Sequence, residues 1–154
     1  DVLAESGCGL IICEESIKII APSVLLGVKN IQTQPYPGFP TDMQSQMMAC
    51  LCTAHGESSI TENIFENRFK IVPELIRMGA DISVSGSKAL LSGSAKLHGE
   101  AVAARDLRGG AALVAAGLAA EGTTIVQESE YIDRGYVDVC SDLRSLGACI
   151  DRRQ

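Results

Sequence analysis

The chain has 154 residues, a net charge of −6 and only 4% aromatic residues, a length that suffices for one domain with its own core. The acidic balance argues against general nucleic-acid binding, which requires clustered basic side chains. No apolar run reaches the length of a membrane span, and the first residues lack the pattern of a signal peptide. We therefore expect a cytoplasmic protein that binds neither nucleic acid nor a membrane.

The cysteines show no metal-binding or disulfide pattern. They form no CxxC pair and no histidine-linked set. They are Cys8, Cys13, Cys50, Cys52, Cys140 and Cys149. A metal site or disulfide framework is therefore less favoured than small buried thiols in a reducing compartment. We expect no metal, and no cysteine that acts as a nucleophile.

The first part of the chain is predicted to be a helix end followed by short strands. The chain lacks an initiating Met and residues 1–6 resemble the end of a helix, so we expect a fragment of a longer protein. Strands at 9–13 and 17–20 form a hairpin, and a third strand at 28–32 follows. The next stretch, YPGFPTDMQ at 36–44, excludes helix as far as Pro40 because prolines interrupt it.

Helix becomes possible immediately after Pro40. Thr41 is a suitable N-cap and Gln44 completes a capping box, which predicts a helix at 42–54. The following elements are predicted, in chain order, as a strand at 59–61, a polar loop at 63–69, a helix at 73–78, and hairpin strands at 81–84 and 89–92.

The pattern then returns, which indicates an internal repeat. The second passage is predicted as a strand at 100–104, a helix at 106–120, a strand at 123–126, a polar loop at 128–136, a helix at 137–146 and a strand at 148–152. Gly7, Gly79 and Gly147 each end a helix and precede a strand. The repeating unit is strand–helix–strand–helix–strand–strand, divided as 1–27, 28–96 and 97–154. The fold class is therefore α/β (or α+β), built from repeats that are truncated at both ends.

Asp42 has two interpretations from its position alone. An acidic residue in the first turn of a helix commonly complements the helix dipole. Alternatively, the rigid proline-rich loop holds this carboxylate at a fixed point at the mouth of a cleft. The spacing alone leaves both open.

Further polar residues recur at matched positions of the repeats, after strands. They are Asp42, Arg68, Asp106, Arg108 and Arg134. Three arginines gathered at one end of an acidic protein indicate a site for a small anion, since guanidinium groups bind phosphate and carboxylate in bidentate fashion. The alternative is a set of surface ion pairs with Glu66, Asp106 and Asp133. Neither GxxxxGK[ST] nor GxGxxG is present, so a nucleotide triphosphate or dinucleotide is not indicated.

Four motifs together resemble the UDP-N-acetylglucosamine 1-carboxyvinyltransferase family of enolpyruvyl transferases. They are YPGFPTDMQ at 36–44, ITENIFENRF at 60–69, DLR at 106–108 with the AALVAAGLAAEGTT run, and IDRGY at 132–136. The resemblance implies two domains, each an inside-out α/β barrel of three repeats, with the active site between them. This chain resembles about three quarters of the C-terminal domain.

The resemblance also implies a reaction. The enolpyruvyl group of phosphoenolpyruvate moves to the 3-hydroxyl of UDP-N-acetylglucosamine through a tetrahedral phospho-ketal. Phosphate is released, no cofactor takes part, and peptidoglycan synthesis begins. Asp42 corresponds to the carboxylate proposed as base toward that hydroxyl.

The other site residues that the resemblance implies bind substrate. Ile64 corresponds to a residue that contacts the UDP-sugar through its backbone. Arg108 and Arg134 correspond to residues that hold phosphoenolpyruvate, with Arg68 nearby. Glu66 and Asp106 are further candidates.

Relative to the family that it resembles, this chain is expected to lack the N-terminal domain. With it go the loop bearing the proton-donating cysteine, a catalytic lysine and most uridine contacts, so the chain alone is expected to be inactive. Two alternatives stay open: a non-catalytic anion-binding or assembly module with the same repeat, and the shikimate-pathway enolpyruvyl transferase. The latter lacks the FPTDMQ and FENRF motifs.

Overall fold

The computed structural model describes residues 1–153 as six helices and eight short strands. The helices are α1 (Val2–Glu5), α2 (Gln44–Cys52), α3 (Val72–Arg77), α4 (Leu107–Ala119), α5 (Glu130–Asp133) and α6 (Val139–Ser145). The strands are β1 (Gly9–Ile12), β2 (Ile17–Ile20), β3 (Ile31–Gln32), β4 (Ser58–Thr61), β5 (Ile82–Ser85), β6 (Lys88–Leu91), β7 (Ala101–Ala103) and β8 (Ile125–Gln127). The prediction of a mixed fold is confirmed.

The central part of the chain forms a four-stranded sheet in the order β3-β4-β6-β5. β3 and β4 are parallel, with Ile31 opposite Ile60, whereas β6 pairs antiparallel with both of its neighbours. With α2 and α3 between the strands, this segment has the predicted strand–helix–strand–helix–strand–strand order. The division of the whole chain at residues 27 and 96 stays a prediction.

A second parallel pair repeats the start of this unit. β7 pairs with β8, and α4 connects them. Such parallel pairs require a crossover, and the two strands then end at the same edge. Each pair therefore brings two loops together: those after β3 and β4, and those after β7 and β8. This arrangement positions the polar residues that follow the strands.

The core lies between the sheet and the helices. α2 and α4 pack directly against each other, and Met48, Leu51 and Leu113 between them are almost completely buried. Ile60 of β4 and Leu75 of α3 complete this core from the sheet side. The start of α4 lies close to the turn that precedes α2, because Arg108 of α4 is within ion-pair distance of Asp42.

The predicted capping box at the start of α2 is wrong. A 3-10 turn at Thr41–Met43 precedes the α-helix, and neither Thr41 nor Gln44 caps it. The hydroxyl of Thr41 instead donates to the carboxylate of Glu62 at 2.9 Å. A capping box would need the Thr41 hydroxyl to accept from the backbone amide of residue 44 and the Gln44 side chain to turn back to the amide of Thr41. The hydroxyl is instead directed to Glu62, and the Gln44 side chain is fully buried beside Ser45.

Two predictions near the end of the chain are also wrong. The strand at 148–152 is not formed, because Arg144 binds the carbonyl of Ile150 and the carboxylate of Asp151 and holds this segment against α6. The polar loop at 128–136 contains the short helix α5. The helix predicted at 137–146 is confirmed as α6, and Gly147 has the left-handed φ of +93° that ends it.

The cysteines are all free thiols, but only two are buried as expected. Cys52 and Cys140 lie in the interior, whereas Cys13, Cys50 and Cys149 are exposed. Burial, with a smaller contribution from Cys50, raises the pKa of the Cys52 thiol to about 12. Within residues 1–153, no helix combines the length and the apolar character needed to cross a membrane.

α4 and α5 are in close contact at Gly110, which provides a test of this packing. A Cβ atom there would lie 2.7 Å from Cγ1 of Ile132 and 2.9 Å from Cβ of Ala104. Alanine normally stabilises a helix by about 1 kcal/mol relative to glycine. We nevertheless expect Gly110→Ala to lower the free energy of unfolding by about 1–3 kcal/mol, through overpacking. Urea unfolding measures this difference.

The control for Gly110→Ala is Ala119→Ser, at the exposed end of the same helix, which should change stability by less than about 0.5 kcal/mol. A stabilised Gly110→Ala variant would contradict the packing of α5 on α4.

Candidate functional site

The candidate site lies where the loops after the parallel strands meet. Residues 33–43 form the proline-rich loop after β3, and residues 62–70 form the loop after β4. Because these two strands are parallel, both loops leave the same edge of the sheet. The first turn of α4 reaches this edge as well, because α4 packs on α2.

Asp42, Arg68 and Arg108 come together at this edge, and we call them the Asp42 cluster. One carboxylate oxygen of Asp42, Oδ1, lies 2.6 Å from Nε of Arg108 and 3.2 Å from Nη2 of Arg68. The side chain of Asp42 is 57% exposed, that of Arg108 34% and that of Arg68 21%. Two guanidinium groups thus share one carboxylate at the surface, and the cluster has a net charge of +1.

Asp42 lies in the 3-10 turn before α2, where an acidic residue complements the helix dipole, and its carboxylate is also paired with two arginines. The arginines do not bind the acidic neighbours that the ion-pair alternative proposed. Asp106 caps α4 by accepting from the Gly109 amide at 2.8 Å, and Asp133 pairs with Arg152. Asp106 therefore has a structural role.

Arg134 follows α5, which packs against the start of α4, and it is not part of the Asp42 cluster. Ile132 packs on Gly110, and the side chain of Leu107 packs on Gly135, so the backbone at residue 134 runs along the first two turns of α4. Arg134 is exposed, and it forms no ion pair with any residue in the described range 1–153. A third guanidinium group is thus available near the helix that carries Arg108.

Ile64 is held by its backbone. Its amide donates to Oε1 of Glu62 at 2.8 Å, and its side chain is 37% exposed. The amide of Ile64 is therefore already engaged by Glu62. Close by, the guanidinium group of Arg68 lies over the ring of Phe65, 5.1 Å from its centroid, which restricts the arginine side chain.

Glu66 lies in the loop after β4, away from the ion pairs of the Asp42 cluster. It is exposed and lines a groove with Arg68 and Lys70 between the loop after β4 and the turn joining β5 to β6. Asp42 and Arg108 do not line this groove. Within residues 1–153, no group of three or more His, Cys, Asp or Glu residues has a metal-binding arrangement.

Glu62 is the residue of this region that the sequence did not single out. It is 4% exposed and accepts four hydrogen bonds: from the hydroxyls of Thr33 and Thr41 and from the amides of Ile64 and Phe65. The signal available in the sequence was an acidic residue directly after the buried strand β4, at the start of a loop.

The hydrogen bonds of Glu62 determine its protonation. Burial by itself would raise the pKa of this carboxyl and is the largest single influence. The four donors together outweigh burial and hold the pKa below its ordinary value. Glu62 is therefore a buried anion at neutral pH, stabilised by hydrogen bonds.

Comparison with known proteins identifies a family over most of the chain. The family described as EPSP synthase (3-phosphoshikimate 1-carboxyvinyltransferase) matches residues 1–143. A UDP-N-acetylglucosamine 1-carboxyvinyltransferase 2 of Caldanaerobacter subterraneus is 52% identical over 97% of this chain and 36% of its own length. One from Desulfofundulus thermocisternus is 55% identical over 90% of this chain and 57% of its own length. The chain thus spans about a third to somewhat over half of these relatives.

Solved structures agree with the family. The enolpyruvyl transferase NikO from Streptomyces tendae has a TM-score of 0.88 at 28% identity, covering 97% of this chain and 35% of that one. An EPSP synthase from Acinetobacter baumannii has a TM-score of 0.70 at 18% identity over 97% of this chain and 36% of its own, a likeness of fold alone.

The depressed pKa of Glu62 predicts a specific dependence of stability on pH. A carboxyl whose folded pKa lies below its unfolded value, about 4.3, stabilises the protein above that value and loses the contribution as the pH falls through the folded pKa. We expect Glu62→Gln to reduce the free energy of unfolding by about 1–3 kcal/mol at pH 7. The difference from the parent should shrink between pH 5 and pH 3, as measured by urea unfolding.

The matched control is Glu57→Gln, since Glu57 is exposed and pairs only with Lys29. This variant should differ little from the parent at either pH. A loss for Glu62→Gln that stays constant down to pH 3 would contradict the assignment of a buried anion.

Proposed function

The chain belongs to the EPSP synthase family of carboxyvinyltransferases, and on that premise we propose that it forms one wall of a UDP-N-acetylglucosamine 1-carboxyvinyltransferase. The relatives that are 52–55% identical carry that name. The reaction proposed is transfer of the enolpyruvyl group of phosphoenolpyruvate to the 3-hydroxyl of UDP-N-acetylglucosamine, with release of phosphate, as the opening step of peptidoglycan synthesis. The observation that carries the proposal is the pairing of Asp42 with both Arg68 and Arg108.

The proposed chemistry is an addition followed by an elimination. The sugar oxygen bonds to C2 of phosphoenolpyruvate, its hydroxyl proton leaves, and C3 gains a proton to give a tetrahedral phospho-ketal. C3 then loses a proton, the bond from C2 to the phosphate oxygen breaks, and the double bond re-forms. This sequence requires an acceptor for the hydroxyl proton and cations for the phosphate and carboxylate groups.

The Asp42 cluster has groups suited to both requirements. Arg108 and Arg68 offer planar guanidinium donors to an anion, and Arg134 offers a third from the adjacent loop. An anion that binds the guanidinium groups competes with Asp42 for them. The proline-rich loop fixes the backbone position of Asp42. Its carboxylate, released from the arginines, then accepts the proton of the incoming sugar hydroxyl. Ile64 holds the sugar nucleotide through its backbone carbonyl, and Glu66 lies in the same loop.

The exposure of the Asp42 cluster supports the proposal that another domain covers the site. With Asp42 57% exposed and Arg134 on the surface, the site of this chain is open, whereas such chemistry proceeds in a water-excluded site. The relatives are longer than this chain, and we propose that an N-terminal domain of the kind the family implies supplies the opposite face. The proton donor to C3 and most uridine contacts are assigned to that domain.

The two alternatives receive less support. A non-catalytic anion-binding or assembly module would need the arginines but not a carboxylate shared between two of them. The shikimate-pathway reaction is supported by the family description, but the solved EPSP synthase is only 18% identical to this chain. The relatives above 50% identity favour the UDP-sugar as substrate.

Asp42→Asn tests the proposed base in the intact gene product. The substitution keeps the size of the side chain and one acceptor oxygen but removes the proton acceptor. We expect kcat, measured as phosphate release from UDP-N-acetylglucosamine and phosphoenolpyruvate, to fall about 10²–10⁴-fold. The melting temperature should change little, because an exposed ion pair contributes at most about 1 kcal/mol.

Three comparisons accompany Asp42→Asn. Lys29→Gln, which breaks an exposed ion pair at another edge of the sheet, should leave kcat unchanged. The 154-residue chain alone should release no phosphate, since it supplies one wall only. Turnover of Asp42→Asn within a few-fold of the parent would remove Asp42 from the mechanism.

Arg134→Ala tests the third guanidinium group. Because this arginine has no ion partner within residues 1–153, its loss should cost no stability, and a catalytic effect would reflect contact with an anion. We expect kcat/KM for phosphoenolpyruvate to fall by about 10–10³-fold, the equivalent of a charge-assisted hydrogen bond.

The matched control for Arg134→Ala is Arg152→Ala. Arg152 is an exposed arginine that pairs with Asp133, the residue directly before Arg134. Equal kcat/KM values for the two variants would show that Arg134 does not bind phosphoenolpyruvate.

A further inference from the structure

We propose that Glu62 is a positioning residue, which sets Asp42 and Ile64 at their working separation by holding the two loops that carry them. This inference rests on the proposed function, because it concerns the same site. Glu62 is a buried anion outside the Asp42 cluster, and it sets the separation of Asp42 and Ile64 that the reaction requires.

The carboxylate of Glu62 accepts hydrogen bonds from both loops. Oε2 accepts from the hydroxyl of Thr41 at 2.9 Å, and Thr41 immediately precedes Asp42. Oε1 accepts from the amides of Ile64 at 2.8 Å and Phe65 at 3.1 Å. One carboxylate therefore spans from the neighbour of Asp42 to the segment that carries Ile64.

Thr33 fastens the other end of the proline-rich loop to the same group. Its hydroxyl donates to Oε1 of Glu62 at 2.8 Å and accepts from the amide of Asn63 at 2.8 Å. Thr33 and Thr41 thus attach the start and the end of the loop to one carboxylate, although eight positions separate them. Three prolines within the loop leave it few backbone amides of its own for such bonds.

The same carboxylate acts on Arg68 through Phe65. The backbone amide of Phe65 donates a hydrogen bond to Glu62, and the guanidinium group of Arg68 stacks over the Phe65 ring. Arg68 in turn contacts Asp42. Glu62 therefore restrains both members of this ion pair. It acts on Asp42 through Thr41 and on Arg68 through Phe65.

The chemistry of the donors explains why a carboxylate occupies this position. Two amides and two hydroxyls require an acceptor with lone pairs on both oxygens. No Lys or Arg within residues 1–153 lies within ion-pair distance of Glu62, so its charge is stabilised by these donors alone. Glutamine retains one oxygen for the Ile64 and Phe65 amides, and its amide group can donate to a reversed Thr41 hydroxyl. Alanine retains neither link.

The test compares Glu62→Ala and Glu62→Gln in the intact gene product, with steady-state kinetics for both substrates. For Glu62→Ala we expect kcat to fall about 10²-fold, since a displacement near 1 Å costs that much. KM for UDP-N-acetylglucosamine should rise, whereas KM for phosphoenolpyruvate stays within about threefold. Glu62→Gln should recover kcat to within about tenfold of the parent.

A merely structural role gives a different result. A destabilised but correctly shaped enzyme loses active fraction, so kcat falls while both KM values stay unchanged. That outcome, or Glu62→Ala kinetics equal to the parent, would overturn the proposal.

Thr41→Val tests the same link without removing the buried charge, so that a Glu62→Ala variant that does not fold leaves the question decidable. It should lower kcat at least about tenfold. Its control is Thr53→Val at the other end of α2, whose hydroxyl binds only the carbonyl of Cys50 and whose loss should leave kcat unchanged. Equal kcat for these two threonine variants would also overturn the proposal.

A readout without catalysis separates this inference from the proposed function. In the 154-residue chain, amide hydrogen exchange at Ile64 and Phe65 should accelerate more than tenfold in Glu62→Ala and much less in Glu62→Gln, while Ile60 in β4 stays protected. If the parent enzyme does not turn over these substrates, the proposed function fails while the exchange data still decide whether Glu62 holds the loop. Unchanged exchange in Glu62→Ala would refute the positioning role whatever the activity.

Discussion

The parallel pairing of neighbouring strands is the constraint on which the rest of this structure depends. β3 with β4, and β7 with β8, each end at one edge of their sheet and release two loops there. The pairing is short, only two or three residues long, yet it determines which polar residues can meet. Asp42 and Arg68 are far apart in the chain, and their ion pair follows from this edge and from no local signal.

The packing of α2 on α4 adds the third member of the cluster. The two helices pack directly against each other, so the first turn of α4 lies close to the turn that precedes α2. Arg108 thereby reaches Asp42 at 2.6 Å, although the two belong to different predicted repeats. Asp106, two residues earlier, has the corresponding sequence position to Asp42 but a different use, because its carboxylate turns back to cap α4. Equivalent positions thus differ in function according to which partner is within reach.

Local patterns in the sequence were sufficient for most elements of the fold. Glycine stops located the ends of α3 and α6, and short strands joined by turns located both hairpins. The failures arose where a distant group competed with a local one. Thr41 was expected to cap its own helix, but it binds a carboxylate twenty-one residues later in the sequence. The strand expected at 148–152 is replaced by bonds to Arg144, since pairing depends on a neighbouring edge that local sequence does not specify. For the same reason the sequence could nominate Asp42, Arg68 and Arg108 individually, whereas their shared oxygen, and Glu62 behind them, required three dimensions.

The ion pair between Asp42 and Arg108 joins two of the predicted repeats, and the packing of α2 on α4 joins the same two units. Exchanging one unit between relatives would therefore change one face of a shared core as well as one half of the cluster. A chimaera retains the site only if both parents agree on the carboxylate, the guanidinium group and the apolar side chains that face each other across the boundary.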